Sequence, residues 1–297
     1  MPAFEGRGAP PPVGIEPPGF RLPDETHVGS VHLLVSDLAR AVAYYEDVLG
    51  LRVSAPTTEA VTLGVPGGDR PIVALHTRPG VVPARRGAFG LYHFAILLPD
   101  RAALGRFAAH LSARGERVGM ADHLVSEALY VWDPDGLGIE VYADRPRHTW
   151  QQSDRELVMT TDPLDVRGLI AAGGAGKWDG APAGTTVGHV HLHVGDLREA
   201  EAFYHAALGL DKMVWSYPGA LFLAAGGYHH HLGTNTWAPG PRAQTHEARL
   251  LEWQLVVREA AASAAADSLR TARYSPEAVE HGWAVDDPWG TRLRISA

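Results

Sequence analysis

Cysteine is absent from the 297-residue sequence. This absence excludes disulfide bonds, thiolate metal sites and cysteine nucleophiles, so any bound metal must be held by histidine and carboxylate side chains. The chain also lacks an apolar run approaching the about 18–20 residues of a membrane-spanning helix, and its first residues lack the apolar segment of a secretory signal. We therefore expect a cytoplasmic protein that does not interact with membranes.

Basic residues are in the minority, with 26 Lys and Arg against 34 Asp and Glu and a net charge of −8. The sequence has no basic run that would follow a phosphate backbone, which argues against a nucleic-acid partner. Histidine, in contrast, is frequent, with 16 residues. The length allows two domains of about 100–150 residues each.

The second half of the chain repeats the first. VHLLVSDL begins at residue 31 and VHLHVGDL at residue 190, an offset of 159 residues that also relates LGL at 49–51 to LGL at 208–210. A fixed-period repeat indicates duplication of one structural unit. Positions that carry His or Glu in one copy only are therefore the candidates for function.

Each half contains the pattern of a strand, a helix and three further strands twice over. The sequence therefore predicts an α+β fold of four βαβββ modules that form two domains with curved mixed sheets and a central cleft. We expect the sheets of two modules to face each other across that cleft. The predicted divisions are a Pro-rich arm (1–26), a first domain (27–143), an irregular linker (144–186) and a second domain (187–297).

Histidines alternate with aliphatic residues in the strand predicted at 188–194. Successive side chains of a strand point to opposite faces, so His189, His191 and His193 share one face, and the aliphatic residues share the face that packs on the helix. The histidines are therefore expected to line the cleft. A solvated polar face is the alternative interpretation.

The second module follows the same logic. His93 is expected in the cleft, with Tyr92 and Phe94 on the opposite face, and Glu140 lies between two aliphatic residues of the last strand. Histidine and glutamate from adjacent strands are typical metal ligands. A Glu140 that faces solvent is the alternative.

The two halves differ at these positions. Modules 2 and 3 carry His93, Glu140 and His189, whereas modules 4 and 1 carry Glu252, Arg294 and Ser30 at the corresponding places. A charge pair between Glu252 and Arg294 is expected where a metal would otherwise lie, which makes this second set a site without a metal.

Two histidines and one carboxylate form the facial triad that binds non-haem Fe(II) and leaves coordination positions open. The triad is complete only if modules 2 and 3 share one cleft. If modules 1 and 2 pair, and modules 3 and 4 pair, each cleft has a partial site.

Four strings resemble the vicinal oxygen chelate superfamily of glyoxalases, bleomycin-resistance proteins and extradiol dioxygenases. They are GLYHFAILLPD (90–100), SEALYVWDPDGLGIEVY (126–142), GHVHLHV (188–194) and GGYHHHLGTNTW (226–237). Together they look like bacterial four-module proteins of the catechol 2,3-dioxygenase type. The resemblance implies extradiol cleavage of an aromatic diol with O2, and Fe(II) as the cofactor, with Mn(II) or another divalent metal left open.

The resemblance also implies residue roles around the metal ligands. His230 matches the acid/base histidine, Tyr130 the tyrosine ten residues before the metal glutamate, and His123 a histidine near the metal site. In the usual extradiol enzymes the active modules are the third and fourth, whereas here they are the second and third.

Further histidines remain candidates for the cleft. The segment 229–231 is predicted to lie in a strand, so alternation directs at least one of its three histidines into the cleft, and His229 and His231 stay candidates beside His230. His191 and His193 are included for the same reason.

Two other functions stay open: a metal-dependent isomerase or lyase of the glyoxalase type, and a small-molecule-binding protein without turnover. A homodimer is also open, because sheet edges and faces in such scaffolds often associate.

Overall fold

The computed structural model describes residues 13–57, 60–238 and 240–297. The first twelve residues of the predicted arm lie outside the described residues. Four βαβββ modules follow one another along the chain, which confirms the predicted fold class.

The modules are joined in the order of the sequence. Module 1 contains β1 (His27–Leu34), α1 (Leu38–Asp47), β2 (Arg52–Pro56), β3 (Ala60–Gly64) and β4 (Pro71–His76). Module 2 contains β5 (Gly90–Leu97), α2 (Arg101–Arg114), β6 (Gly119–Asp122), β7 (Ser126–Trp132) and β8 (Gly138–Asp144).

The connecting segment and the second half complete the fold. The connection contains a 3-10 turn (Arg147–Thr149), β9 (Gln152–Ser153), β10 (Glu156–Leu157) and α3 (Val166–Ala172). Module 3 contains β11 (Thr186–His193), α4 (Leu197–Ala200) with its π-helical continuation (Glu201–Ala207), β12 (Asp211–Val214), β13 (Ala220–Ala224) and β14 (Leu232–Asn235). Module 4 contains β15 (Arg249–Val256), α5 (Glu259–Thr271), β16 (Glu277–Val279), β17 (Gly282–Asp286) and β18 (Arg292–Ser296).

Aspartates begin three of the module helices. The side chains of Asp37, Asp100 and Asp196 accept hydrogen bonds from backbone N–H groups in the first turn that would otherwise lack a partner. Helix α2 ends at Gly115, whose φ of 70° is a conformation that favours glycine. These caps set the point where each first strand gives way to its helix.

Two eight-stranded sheets form the body of the protein. The first sheet has the order β12-β13-β14-β11-β5-β8-β7-β6 and so combines modules 3 and 2. The second has the order β16-β17-β18-β15-β1-β4-β3-β2 and combines modules 4 and 1. Of the two pairings that the sequence left open, the structure has the one that unites modules 2 and 3.

The paired modules join edge to edge and not face to face as expected. Strands β5 and β11 pair antiparallel in the first sheet, as do β1 and β15 in the second. Because each first strand would otherwise leave an exposed edge, this pairing removes two edges from each pair of modules. The cleft is therefore one face of a continuous curved sheet.

The alternating aliphatic residues of the first strands lie in the core, as their pattern predicts. Val31 and Leu33 of β1 and Val190 and Leu192 of β11 are fully buried. They belong to one large apolar cluster that also contains the buried faces of the helices. The opposite faces of β1 and β11 are thereby left to polar residues.

The connection between the halves is more regular than predicted. Its helix α3 packs on α2 so closely that a Cβ on Gly105 would lie 2.2 Å from the Leu169 carbonyl oxygen. The described part of the arm lies along module 3: Leu22 N–H donates to the Gly209 carbonyl at 2.9 Å, and Arg21 forms an ion pair with Asp211 at 2.7 Å.

Among the helices of the described residues, none is both long enough and apolar enough to cross a membrane.

Candidate metal centre

Three side chains selected from the sequence converge on the first sheet. The ligand atoms of His93, Glu140 and His189 all lie within 4.8 Å of one another. Glu140 Oε2 is 3.0 Å from His93 Nε2 and 3.2 Å from His189 Nε2. Exposure does not exceed 4% for any of the three residues. Modules 2 and 3 therefore supply one buried constellation from both halves of the chain.

The register of the sheet brings the three side chains together. Ala95 of β5 is the pairing partner of Glu140 on one side and of His189 on the other. His93 precedes Ala95 by two residues and so points to the same face. Ala95 is fully buried, and its side chain is small. It therefore leaves room on this face of the sheet for the side chains of His93, Glu140 and His189.

The electrostatics of this constellation suit a cation. Burial lowers the pKa of His189 to about 4, so its ring is neutral at physiological pH and has a lone pair to offer. Burial would raise the pKa of Glu140, but the adjacent His189 and His93 hold that pKa well below its ordinary value. The site therefore carries one buried negative charge.

The hydrogen bonding of His93 is consistent with the same interpretation. Its Nε2 atom is buried and has no hydrogen-bond partner within the described part of the chain, although it lies close to the Glu140 carboxylate. Two imidazole nitrogens and one carboxylate oxygen directed at a common point fit a divalent metal ion.

The second sheet repeats this geometry with other residues. Gln254 takes the place of Ala95, and Arg294 is its pairing partner on β18. Arg294 Nε donates to Glu252 Oε1 at 2.7 Å, and the Ser30 hydroxyl donates to the Gln254 side-chain oxygen at 3.4 Å. A protein cation and a protein amide thus fill the space that the first sheet leaves to a metal.

Tyr92 lies on the cleft side of β5, whereas alternation placed it on the opposite face. His191 pairs with His93 but Leu192 pairs with Leu91, so Tyr92 is an additional residue on β5. Such a β-bulge interrupts the alternation. The Tyr92 ring is 4.9 Å from that of His93 and 5.2 Å from that of His191.

A cavity of about 330 Å3 opens beside the three residues. His93 and Glu140 line it, together with the sequence-selected His123, Tyr130, His191 and His230. Its further lining includes aromatic rings and a part of the connection between the halves, namely Tyr92, Trp132, Tyr217, Phe222, Trp237 and residues 159–161. The contribution of the connection was not predicted, because its sequence has no periodic pattern to assign it to the cleft.

Tyr130 and His123 form one hydrogen-bonded pair. Tyr130 lies opposite Glu140 on the neighbouring strand. His123 Nδ1 donates to the Thr160 carbonyl at 2.5 Å, and in this tautomer the other ring nitrogen accepts from the Tyr130 hydroxyl at 2.7 Å. Burial and the charge of Glu140 raise the pKa of Tyr130 well above its ordinary value, so the phenol keeps its proton.

His229, His230 and His231 precede β14 and do not lie in a strand as predicted. The chain turns through Gly226 and Gly227, both with positive φ, and regular pairing resumes only at Leu232. Alternation therefore does not apply to this segment. His230 lines the cavity with its ring 4.0 Å from that of His189, while His229 lies behind it.

A chain of hydrogen bonds extends from His230 away from the cavity. His229 Nε2 lies 2.9 Å from Asp144 Oδ1, and His229 Nδ1 lies 2.7 Å from His230 Nδ1. Because the carboxylate accepts, His229 carries its proton on Nε2, and its Nδ1 accepts from His230 Nδ1. His230 is thereby held in the tautomer whose Nε2 has a free lone pair. Asp144 was not foreseen in this role, since nothing in the sequence links it to His229.

The remaining histidines divide between the cavity and its surroundings. Asn235 donates to His191 Nε2 at 2.9 Å and accepts from His193 Nδ1 at 2.7 Å, which fixes both rings. His193 lines a neighbouring, larger cavity. His231 does not line either cavity; its Nδ1 accepts from the Ala225 N–H at 3.2 Å.

Comparisons with known proteins agree with the architecture. The family model described as Glyoxalase/Bleomycin resistance protein/Dioxygenase superfamily matches residues 27–141 and 186–295. The catechol-2,3-dioxygenase of Bacillus subtilis (strain 168) is 44% identical over 273 residues, which are 89% of this chain and 95% of that relative.

Solved structures show the same fold at low sequence identity. A candidate dioxygenase from Bacillus subtilis subsp. subtilis str. 168 superposes with a TM-score of 0.66 at 13% identity, covering 93% of this chain and 86% of that one. Glyoxalase I from Zea mays superposes with a TM-score of 0.53 at 16% identity, covering 92% of each chain.

Proposed function

The chain belongs to the Glyoxalase/Bleomycin resistance protein/Dioxygenase superfamily, and on that premise we propose that it is an Fe(II)-dependent extradiol dioxygenase that cleaves a catechol-type aromatic with O2. The observation that carries the proposal is the buried constellation of His93, Glu140 and His189, of which His93 and Glu140 line the cavity. Two histidines and one carboxylate are the ligand set of non-haem Fe(II) oxygenases. The relative named catechol-2,3-dioxygenase supports the same reaction.

His93, Glu140 and His189 would hold the metal, with the single carboxylate offsetting part of its charge. The bound metal would supply open positions at which an aromatic diol and O2 are brought together. We propose Fe(II) as this metal, and Mn(II) is the alternative that the same donor set would accept.

The cavity suits a small aromatic guest. Its volume of about 330 Å3 lies near the lower end of ligand pockets. The rings of Tyr92, Phe222 and Trp237 line it beside the polar groups. Aromatic walls favour a planar ring, and the convergent polar groups at one end would orient its two hydroxyls.

His230 is the proposed acid/base. The free lone pair on its Nε2 can accept a proton from a substrate hydroxyl, while His229 and Asp144 hold the ring in that tautomer. Asp144 and His229 are positioning residues, because they act on the substrate only through His230.

Tyr130 is the proposed hydrogen-bond donor to the substrate oxygen nearest Glu140. Its phenol keeps its proton, and His123 fixes its position. During turnover the hydroxyl can leave the His123 nitrogen and donate to developing negative charge on the substrate.

The decisive experiment is turnover of a diol by protein loaded with Fe(II) without oxygen. Catechol and 4-methylcatechol are added, air is admitted, and O2 uptake and visible absorbance of the ring-fission product are followed. We expect a coloured product and matched O2 uptake, both lost in His189→Ala and kept in Ser30→Ala, the change at the corresponding position of the second sheet. Metal binding without O2 uptake from either diol would contradict the proposal and favour a non-oxidative metal enzyme of the superfamily.

A further inference from the structure

A larger cavity, of about 710 Å3, adjoins the one at the metal centre. It is lined by both sheets and by the segments that connect module 1 to module 2 and module 3 to module 4. Tyr92 and Trp132 line both cavities and are 40% and 47% exposed. These two rings therefore separate the metal centre from the larger space.

The larger cavity is strongly basic although the protein as a whole is acidic, with a net charge of −8. Its lining contains two carboxylates, and both are engaged: Glu116 pairs with Arg114 at 3.4 Å and Asp286 pairs with Arg292 at 3.2 Å. Six arginines line it: Arg85, Arg86, Arg117, Arg242, Arg249 and Arg292.

Four of these arginines have no carboxylate within 4.0 Å in residues 13–57, 60–238 and 240–297: Arg86, Arg117, Arg242 and Arg249. Several guanidinium groups that surround one space repel one another, and the carboxylates of Glu247 and Asp287, which interact electrostatically with Arg249 and Arg242, form no ion pair with them within the described residues. A bound anion relieves that repulsion, and arginine is the residue that best matches carboxylate and phosphate geometry.

Arg249 is the most constrained of the four. It is half-buried, and its Nη1 donates to the backbone carbonyls of Thr245 at 2.5 Å and Glu247 at 3.2 Å. Burial and the nearby Arg78 lower its pKa more than the charge of Glu247 raises it, so its surroundings on balance disfavour the positive charge. A charge held in place against this cost is typical of a group that awaits a counter-charge.

Arg242 contacts the turn that precedes strand β18. Its Nη2 donates to the Pro288 carbonyl at 2.6 Å. A Cβ on Gly290, which has a φ of 80°, would lie 2.5 Å from Arg242 Nη1. Glycine therefore lets the guanidinium lie against the backbone, so that the arginine is oriented before any ligand arrives.

We propose that the larger cavity binds an anionic group, a carboxylate or a phosphate, with Arg242 and Arg249 as its principal donors. The group belongs either to a substituent of the aromatic substrate, whose ring lies beyond Tyr92 and Trp132, or to a separate small molecule. Only the first source rests on the proposed dioxygenase function; the site itself does not.

The site is tested by calorimetry on metal-free protein, which needs no turnover. Inorganic phosphate and 3-phenylpropionate are titrated at constant ionic strength into wild type, Arg242→Gln, Arg249→Gln and Arg167→Gln. Arg167 is exposed on α3 outside the cavity, so its variant removes the same charge elsewhere. We expect the two cavity variants each to weaken binding about tenfold or more and the control to match wild type.

Two results would overturn the proposal. One is that neither probe binds wild type at concentrations well above physiological. The other is that Arg167→Gln weakens binding as much as Arg249→Gln, which would reduce the effect to overall charge. Circular dichroism of each variant establishes that the folds are equivalent, and Arg249→Met provides a second substitution that removes the charge while keeping an extended side chain.

A second arm distinguishes the two sources of the anion. In metal-loaded protein, kcat/KM is compared for catechol and for 3-(3,4-dihydroxyphenyl)propionate. If the anion is a substrate substituent, Arg249→Gln lowers kcat/KM for the propionate about tenfold more than for catechol. If the anion belongs to a separate molecule, Arg249→Gln changes kcat/KM equally for both substrates, and the variant still loses phosphate binding.

Discussion

Glu252 and Arg294 form an ion pair, with Arg294 Nε 2.7 Å from Glu252 Oε1. By register, they stand where the first sheet has a histidine and a glutamate. The duplication thus left one polar cluster on each sheet. In the second sheet Arg294 neutralises the carboxylate of Glu252, whereas in the first sheet the carboxylate of Glu140 has two histidines beside it and a metal ion would supply the positive charge. This relationship supplies matched controls for the metal centre.

Glu140→Gln is expected to weaken binding of Fe(II) or Mn(II) by at least about 100-fold. Loss of a residue that only hydrogen-bonds to a metal ligand commonly lowers metal affinity about 10–100-fold, and Glu140 is itself a proposed ligand. The amide retains the shape of the side chain but removes the negative charge and the anionic donor. The measurement is anaerobic calorimetry. Glu252→Gln should bind metal like wild type, and equal losses in both variants would contradict the assignment of the ligands.

Transplanting the ligand set should create a second metal centre. The variant Ser30→His, Glu252→His, Arg294→Glu with Gln254→Ala restores in the second sheet the residue types of the first. We expect metal stoichiometry to rise from one to two per chain, because the register of the two sheets is the same. Metal analysis after gel filtration measures it, and a stoichiometry of one in a folded variant would show that register alone does not define the centre.

Tyr130→Phe is expected to lower kcat about tenfold or more, because a hydrogen bond to developing charge is lost. Metal affinity should stay unchanged, since Tyr130 is not one of the proposed ligands. His123→Gln acts through the same hydroxyl. The double variant with Tyr130→Phe and His123→Gln should therefore lower kcat no more than Tyr130→Phe alone. Additive losses in this double-mutant cycle would argue that the two residues act separately.

Asp144→Asn is expected to lower kcat about tenfold or more with little change in metal affinity. An amide can donate to His229 Nε2, which reverses the tautomers of His229 and His230 and places a proton on the nitrogen that should accept one. Steady-state kinetics measure the effect. Tyr228→Phe removes the other contact to Asp144, at 3.3 Å, and should stay near wild type, whereas a similar loss there would indicate a merely structural role.

His231 should make the metal-free protein sensitive to acid. Burial lowers its pKa from the ordinary 6.5 to about 3, so below pH 6.5 the unfolded chain takes up a proton that the folded chain cannot. Stability is therefore fully present above pH 6.5 and is lost as the pH falls toward 3. At pH 5 this one group should reduce the free energy of unfolding by about 2 kcal/mol relative to pH 8.

The comparison that isolates this effect is urea denaturation at pH 8 and pH 5. His231→Gln keeps an acceptor for the Ala225 N–H but cannot titrate, so it should lose about 2 kcal/mol less between the two pH values than wild type. His148→Gln, an exposed position, should behave as wild type. Identical pH dependence in all three proteins would contradict the prediction.

Much of the candidate site follows from local pattern. Alternation on the strand of His189 and the differences between the two copies select the proposed metal ligands, because period and duplication are properties of the sequence itself. The choice between the two module pairings does not follow, since it depends on which free strand edges meet. Only the paired structure shows that Ala95 joins Glu140 to His189.

The errors have local physical causes. Tyr92 was assigned to the wrong face because a β-bulge, which has no sequence signature here, interrupts the alternation. The position of the segment 229–231, between a Gly-Gly turn and an aromatic segment, predicts a strand, whereas in the structure the turn through Gly226 and Gly227 continues and pairing begins only at Leu232. Thr160 and Asp144 were not found because they act through contacts with residues distant in sequence.

The edge-to-edge pairing also dictates an order of events during synthesis of the chain. His27 on β1 pairs with Val256, so that edge has no native partner until more than 200 further residues have been translated. At the usual rate of elongation this interval is on the order of ten seconds or more. Throughout it, the emerging chain exposes the β1 edge, and until β11 is made it also exposes the β5 edge, and neighbouring nascent chains could pair with either. Chaperone supply and slow growth at low temperature should therefore determine the yield of native protein more strongly than the final stability does.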